Sequence, residues 1–307
     1  MLENNKLIVC LTPFQMFLAE KIISRDAGKY TLLFIEHSEN EKNNYYFNLL
    51  SEKVSAAYKY NVCKSNGFLK LYFYICFLIK LYFVSSKFDT VYLSTINDKH
   101  IYILLRFFNL KKIITFDDGI GNVYKDGVYF DEDNNIINYI KDRIISHYTI
   151  YKDLENIVEA NKLKLISFND SEITNNGTTN KISIFLGQPY KEFMGEDFDF
   201  SQLNEILNLY NIKYYFPHPR ESVVYNGYEY IKTHFIFEDY ILDLLKENSN
   251  LEVSIYTFLS SAALNVADYK RVKVFTLGDS DLLIRYRRLY DIFSKKGIPN
   301  LEVEFKL

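Results

Sequence analysis

The chain has 307 residues, 48% hydrophobic and 24% charged, with a net charge of −3. That length holds one large or two medium domains, and the composition is that of a globular chain rather than a disordered one. The slight negative charge offers no cationic surplus for a polyanion, so no nucleic-acid partner is expected.

The N-terminal "MLENNKLIVCLT" runs straight into a strand at 6–12, without the apolar core and cleavage site of a signal peptide. "PFQMFLAEKII" follows as a helix and 30–36 as a second strand. The apolar segment 67–84, "GFLKLYFYICFLIKLYFV", approaches the length of a membrane span. Lys70 and Lys80 interrupt it, so a buried helix is expected before an interfacial one, and not a membrane anchor. Strands at 90–95 and 111–118 flank the helix "DKHIYILLRFF". After the polar run 169–181, the best linker candidate, come strands at 181–188, 213–219, 252–258 and 271–278. Helices "SQLNEILNLY", "FEDYILDLLKE" and "DLLIRYRRLYDIF" lie among them. Strands alternating with helices read as βαβ units and parallel sheets. The expected architecture is two Rossmann-like α/β domains, 1–170 and 171–307. Cys10, Cys63 and Cys76 are odd in number and sit in apolar runs. They read as reduced core residues of a cytoplasmic protein, and no Cys/His cluster has zinc-ligand spacing.

In open α/β sheets ligands bind beyond the carboxyl ends of the strands, and four polar, turn-rich segments stand there. "TFDDGIGN" brings Asp117 and Asp118, a carboxylate pair in which one member could serve as a base; acidic residues and glycines also simply make turns. "LGQP" offers Gly187 for close backbone approach to a ligand. "YYFPHPRES" fixes His218 between Pro217 and Pro219 at a strand end. "TFLSSAAL" sets Ser260 and Ser261 at a helix start, either as an anion site or as a plain N-cap. Glu238, at another helix start, suits a ribose or the helix dipole. Neither a P-loop nor G-x-G-x-x-G is present. Of three D-x-D triplets, only Asp279 and Asp281 follow a strand, a weak case for a metal.

Taken in order, "TFDDGIGN", "LGQPYKE", "FPHPRES", "FEDYIL", "YTFLSSAAL" and "KGIPNLEVEF" resemble the bacterial sialyltransferases of glycosyltransferase family 52, including the lipooligosaccharide α-2,3-sialyltransferases. The similarity also takes in "LTPFQMFLAEKI" and "ENEKNNYYFNLL", and so spans nearly the whole chain. It implies a GT-B fold with a cleft between an acceptor-side and a donor-binding domain. It further implies a CMP-sialic acid donor, inverting transfer to a galactose-terminated surface glycan (a capsular polysaccharide or lipooligosaccharide), and no metal or other cofactor.

By the same resemblance His218 assists departure of CMP, with Pro219 beside it. Gly187, Gln188 and Pro189 line the nucleotide pocket, Glu238 holds the ribose, and Ser260 and Ser261 hold the phosphate. Some family members carry an aspartate, the base, directly after the G-x-P; here that position is Tyr190, so Asp118 or Glu192 takes the role. The location is cytoplasmic, with room for peripheral contact at the inner membrane face and for a homodimer. Two other readings stand beside this one. In the first, a hexosyltransferase using a nucleotide diphosphate sugar recruits Asp279 and Asp281 to a metal. In the second, the chain is a catalytically idle sugar-nucleotide-binding partner of a polysaccharide assembly complex.

Overall fold

The computed structural model describes residues 5–26, 28–62, 69–84, 88–168, 180–189, 200–221 and 226–304. The chain divides into two compact units, Met1–Ile166 and Ser167–Leu307. Each is wound around a parallel sheet, the α/β architecture the alternation of strands and helices predicts.

The first unit contains β1 (Asn5–Cys10), β2 (Lys29–Glu36), β3 (Ala56–Asn61), β4 (Thr90–Leu93), β5 (Ile113–Phe116), β6 (Ile144–Thr149) and β7 (Leu163–Leu165). They align in the order β3-β2-β1-β4-β5-β6-β7, every pair parallel. The helices are α1 (Pro13–Ile23), α2 (Glu41–Ser51), α3 (Leu69–Val84), α4 (Lys99–Phe107) and α5 (Asn135–Lys141). Helices cover both faces of a wound sheet, so the central strands bury every side chain rather than alternate ones. Leu7 to Cys10 and Leu32 to Ile35 are all fully buried. α1 begins where Thr12 accepts the Gln15 N–H at 3.3 Å with Pro13 behind it, a side-chain cap followed by a residue that needs no donor.

The expectation for α3 is corrected. Tyr74, Leu78 and Leu81 are buried, but Leu71, Tyr72, Phe73, Ile79, Tyr82 and Phe83 are exposed, Phe83 by 81%. Among the described residues only one face of the helix, that of Tyr74, Leu78 and Leu81, is packed against its unit. Its sequence is apolar all round, and so gave no periodicity from which to tell this. Among the described residues no helix is long and apolar enough to cross a membrane. Cys10 is buried and its thiol pKa is pushed up by that burial, whereas Cys76 is exposed on α3 and is not a core residue. Cys63 lies outside the described residues.

The second unit contains β8 (Asn180–Leu186), β9 (Tyr214–Phe216), β10 (Glu229–Tyr230), β11 (Leu251–Thr257), β12 (Val272–Gly278) and β13 (Asn300–Glu302). Their order is β10-β9-β8-β11-β12-β13, again all parallel. Its helices are α6 (Phe200–Leu209), α7 (Phe237–Glu247), α8 (Ser261–Val266), α9 (Ser280–Arg285) and α10 (Arg287–Lys295). Each sheet grows outward from its first strand in one direction and then resumes on the other side of that strand. The reversal falls between β1 and β4 in one unit and between β8 and β11 in the other. Loops leaving the strand ends there diverge and open a crevice, the usual place for a ligand.

Candidate active site

At the reversal point of the second sheet the "LGQP" turn follows β8. Gln188 is buried, and its Oε1 accepts the Leu259 N–H from beyond β11 at 3.0 Å, which ties the two diverging loops together. Gly187 donates its N–H to the Phe216 carbonyl of β9 at 2.9 Å. A Cβ on Gly187 would collide with the Glu221 carboxylate and stand 2.8 Å from the Tyr215 hydroxyl, so only glycine fits against this neighbouring turn. Pro189 completes the segment; Tyr190 and Glu192 lie outside the described residues.

His218 and Pro219 follow β9. The His218 imidazole is half-buried, and its Nδ1 accepts the Arg220 N–H at 3.1 Å. An Nδ1 that accepts leaves the proton of the neutral ring on Nε2, which makes Nε2–H the donor of this side chain. Glu221 holds the turn from the other side: its Oε2 accepts the His218 N–H at 3.0 Å and its Oε1 accepts from the Tyr215 hydroxyl. Burial raises the Glu221 pKa and outweighs the lowering by those two hydrogen bonds. Nothing in the motif by itself gives Glu221 a role. The available signal was a glutamate three residues after a histidine in a proline-bounded turn.

Glu238, in the first turn of α7, is buried, and its Oε1 accepts from Asn265 Nδ2 of α8 at 2.7 Å. Ser260 occupies the N-cap position of α8 but makes no side-chain capping bond, and Ser261 opens the helix; both are half-buried. The helix that carries the serines is thus joined by a side-chain hydrogen bond to the helix that carries the glutamate. Asp279 serves as the N-cap of α9, accepting the Leu282 N–H at 2.8 Å, and Asp281 is exposed.

In the first unit the two acidic neighbours after β5 have separate surroundings. Asp117 is fully buried, bonded through Oδ1 to His147 Nε2 at 2.9 Å and through Oδ2 to the Ile150 N–H at 2.6 Å. His147 Nδ1 is in turn 2.8 Å from the Thr115 hydroxyl, so Asp117 braces β5 against β6. Asp118 is half-buried and looks elsewhere. Gln15 Nε2 donates to its Oδ1 at 2.7 Å, Thr95 Oγ1 to its Oδ2 at 3.0 Å, and the Tyr129 hydroxyl also to Oδ2. Burial, with the Asp118 charge and hydrogen bond behind it, raises the Tyr129 pKa, so the phenol stays a donor. Gln15 follows β1 and Thr95 follows β4, so the carboxylate is held at the reversal point of its sheet. Gln15, Thr95 and Tyr129 went unassigned in the sequence because they reach Asp118 only through the fold.

A cavity of about 520 Å³ lined by Glu36, Glu39, Asn44, Lys59 and Asn61 lies at the ends of β2 and β3. It contains none of the predicted site residues. Its deepest carboxylate, Glu36, is already paired with Lys59 at 2.9 Å and Asn61 at 2.9 Å.

Two Rossmann-like parallel units define the GT-B class of glycosyltransferases. The architecture is shared, at 11% identity and a TM-score of 0.57, with the UDP-complexed Arabidopsis thaliana UGT89C1, over 98% of this chain and 86% of that one. It is shared as well with the UDP-N-acetylglucosamine 2-epimerase of Rickettsia bellii, at 15% identity and a TM-score of 0.53, over 89% and 78% of the two chains. The model of glycosyltransferase family 52 matches residues 28–280, and the chain belongs to that family. An N-acetyllactosaminide alpha-2,3-sialyltransferase of Neisseria meningitidis is 30% identical over 99% of this chain and 87% of its own length. A CMP-N-acetylneuraminate:beta-galactoside alpha-2,3-sialyltransferase of Pasteurella multocida is 29% identical over 97% and 99%.

Proposed function

We propose that the chain transfers sialic acid from CMP-sialic acid to a terminal galactose of a bacterial surface glycan, forming an α-2,3 linkage with inversion and without a metal. The family and the two sialyltransferase relatives support this reading, and one observation carries its chemistry. The Arg220 N–H occupies His218 Nδ1, so the proton of the neutral ring stands on Nε2, the nitrogen that would donate to the departing phosphate. CMP departs as a phosphate monoester, so a positioned donor eases cleavage of the C2–O bond by meeting charge that grows on the phosphate oxygen. The acceptor hydroxyl gives its proton to a carboxylate as its oxygen bonds to C2, and the electron pair of the broken bond leaves with CMP. Asp118 suits the base: Gln15, Thr95 and Tyr129 orient it, and Oδ1 retains a lone pair for the acceptor hydroxyl. Glu192 is the other candidate.

Within the second unit, the "LGQP" turn would line the nucleotide, Glu238 the ribose, and Ser260 with Ser261 the phosphate. The reading with a metal at Asp279 and Asp281 has less support, because among the described residues the two gather no further His, Cys, Asp or Glu ligand into a cluster that could hold an ion. We place the enzyme in the cytoplasm, with the exposed face of α3 against the membrane. The test is CMP release from CMP-sialic acid, with and without lactose, in buffer and in EDTA. Lactose-stimulated release that survives EDTA is expected; no release from folded protein would refute the assignment of donor or acceptor.

A further inference from the structure

We propose that His37, Asp98 and His100 form a binding site for one divalent transition-metal ion of the zinc type, separate from the transfer chemistry. No local spacing in the sequence announces it, because the three residues come from two strand ends. His37 is the first residue beyond β2. Asp98 is the N-cap of α4, and His100 stands in the first turn of that helix, which follows β4. Only β1 separates β2 from β4 in the sheet, and both strands deliver their C-terminal ends to the same edge.

The geometry suits an ion. One donor atom from each residue lies within 4.8 Å of the other two. His37 Nε2 is 3.2 Å from Asp98 Oδ2, and His100 Nδ1 is 3.2 Å from Asp98 Oδ1. The edge of a tetrahedron with metal–ligand bonds of 2.0–2.1 Å is about 3.3 Å, which the His37 Nε2 to Asp98 Oδ2 separation matches. The carboxylate divides its two oxygens between tasks. Oδ1 caps the helix, accepting the N–H groups of His100 at 2.7 Å and Ile101 at 3.2 Å, while Oδ2 faces His37. Oδ2 can therefore ligate while Oδ1 stays anchored, and such outer hydrogen bonds commonly orient metal-binding carboxylates.

The His100 ring is held by the core as well as by Asp98. It is buried, packs edge-on against Tyr74 at 5.0 Å, and its carbonyl accepts the Tyr74 hydroxyl at 2.8 Å. His37, half-exposed, closes the site from outside with its ring 5.6 Å from that of His100. Two imidazoles and one carboxylate favour zinc-like ions over magnesium or calcium, which prefer all-oxygen shells; water would complete the shell. A bound ion would fasten the end of β2 to the β4–α4 loop, the loop that also presents Thr95 to Asp118.

The experiment uses the full chain, without a histidine tag and stripped of metal. Zn²⁺ is titrated in competition with a chromophoric chelator, and Co²⁺ is followed by its visible absorption, for the wild type and for His37→Ala. That substitution is at a half-exposed side chain and leaves the helix cap in place. The expected result is one equivalent of Zn²⁺ and a tetrahedral-type Co²⁺ spectrum. Affinity should fall at least about tenfold, and the spectrum should vanish, in His37→Ala. No stoichiometric binding by the wild type, or equal binding by His37→Ala, would show that the two histidines merely hydrogen-bond to Asp98. Neither readout uses a donor or an acceptor sugar, so the outcome is independent of the sialyl-transfer reading.

Discussion

His218 and Glu221 hold each other from both ends of one turn: the His218 N–H donates to Glu221 Oε2 at 3.0 Å, and the Glu221 N–H donates to the His218 carbonyl at 2.9 Å. Glu221 thereby positions the backbone on which the imidazole is mounted. His218→Ala is expected to lower turnover by about two orders of magnitude or more with the fold intact, as removal of a hydrogen-bond donor aimed at developing charge does. Glu221→Ala should cost roughly tenfold in kcat with little change in KM for the donor, because it loosens the turn without removing the donor. Steady-state CMP release and circular dichroism check both. Near-normal transfer by folded His218→Ala would remove the histidine from the mechanism.

The Glu221 carboxyl also has a signature in stability. Its folded pKa is raised by burial. Stability from this group is therefore fully present below its unfolded value and declines as pH rises through the folded one. Glu221→Gln keeps an acceptor for the His218 N–H and removes the titration. Urea unfolding should then show Glu221→Gln gaining on the wild type as pH rises from about 4 toward neutrality, with no gap at the acid end. A gap that widens toward acid would contradict the assignment.

Asp118→Asn should abolish most transfer, by about two orders of magnitude, while leaving CMP binding by calorimetry unchanged, since Asp118 and the donor-binding residues belong to different units. Gln15→Ala removes the only side-chain donor to Asp118 Oδ1 among the described residues and should lower kcat by a smaller factor. If Glu192→Gln rather than Asp118→Asn stops turnover, the base is Glu192.

Gly187→Ala places a methyl against the Glu221 carboxylate and the Tyr215 hydroxyl. Overpacking at such a contact costs about 1–3 kcal/mol. Because Glu221 must move to relieve it, activity should fall together with the melting temperature. A fully active, equally stable Gly187→Ala would show that this turn adapts freely.

Residues 53–88 contain six lysines and no acidic residue, and α3 within them exposes Leu71, Tyr72, Phe73, Tyr82 and Phe83. An aromatic helix face that carries Lys70 and Lys80 and no acidic residue suits an anionic bilayer surface. Flotation with vesicles containing phosphatidylglycerol should recover the protein. Vesicles of phosphatidylcholine alone, or the Tyr72→Glu/Phe83→Glu variant, should recover several-fold less. Equal recovery in all three cases would refute the contact.

The central strands were readable because burial turns them into short apolar runs: Leu7 to Cys10, Leu32 to Ile35 and Ile184 to Leu186 are all buried and stand out without any structure. The outer strands were not. β3 reads "AAYKYN", while β7 and β13 are three residues each, so they become strands only when a neighbour supplies the ladder. The site divides in the same way. His218, Asp118 and Gln188 stand beside turn residues at strand ends and could be picked out. Gln15, Thr95 and Tyr129 meet Asp118 across up to 103 positions of chain, and Asn265 meets Glu238 across 27. Convergence of that kind is a property of strand order, which no local window contains.

β7 completes the first sheet at Leu165, before β8 opens the second at Asn180, and among the described residues no strand crosses from one sheet to the other. During synthesis, every partner strand of the first sheet has left the ribosome while the second is still being made. The second is not complete until β13 at Asn300–Glu302 has been made. Premature termination anywhere beyond residue 180 therefore spares the half that carries Asp118 and deprives the other of an edge, leaving unpaired strands open to aggregation. The vulnerability of this enzyme in the cell lies in the codons from β8 to β13.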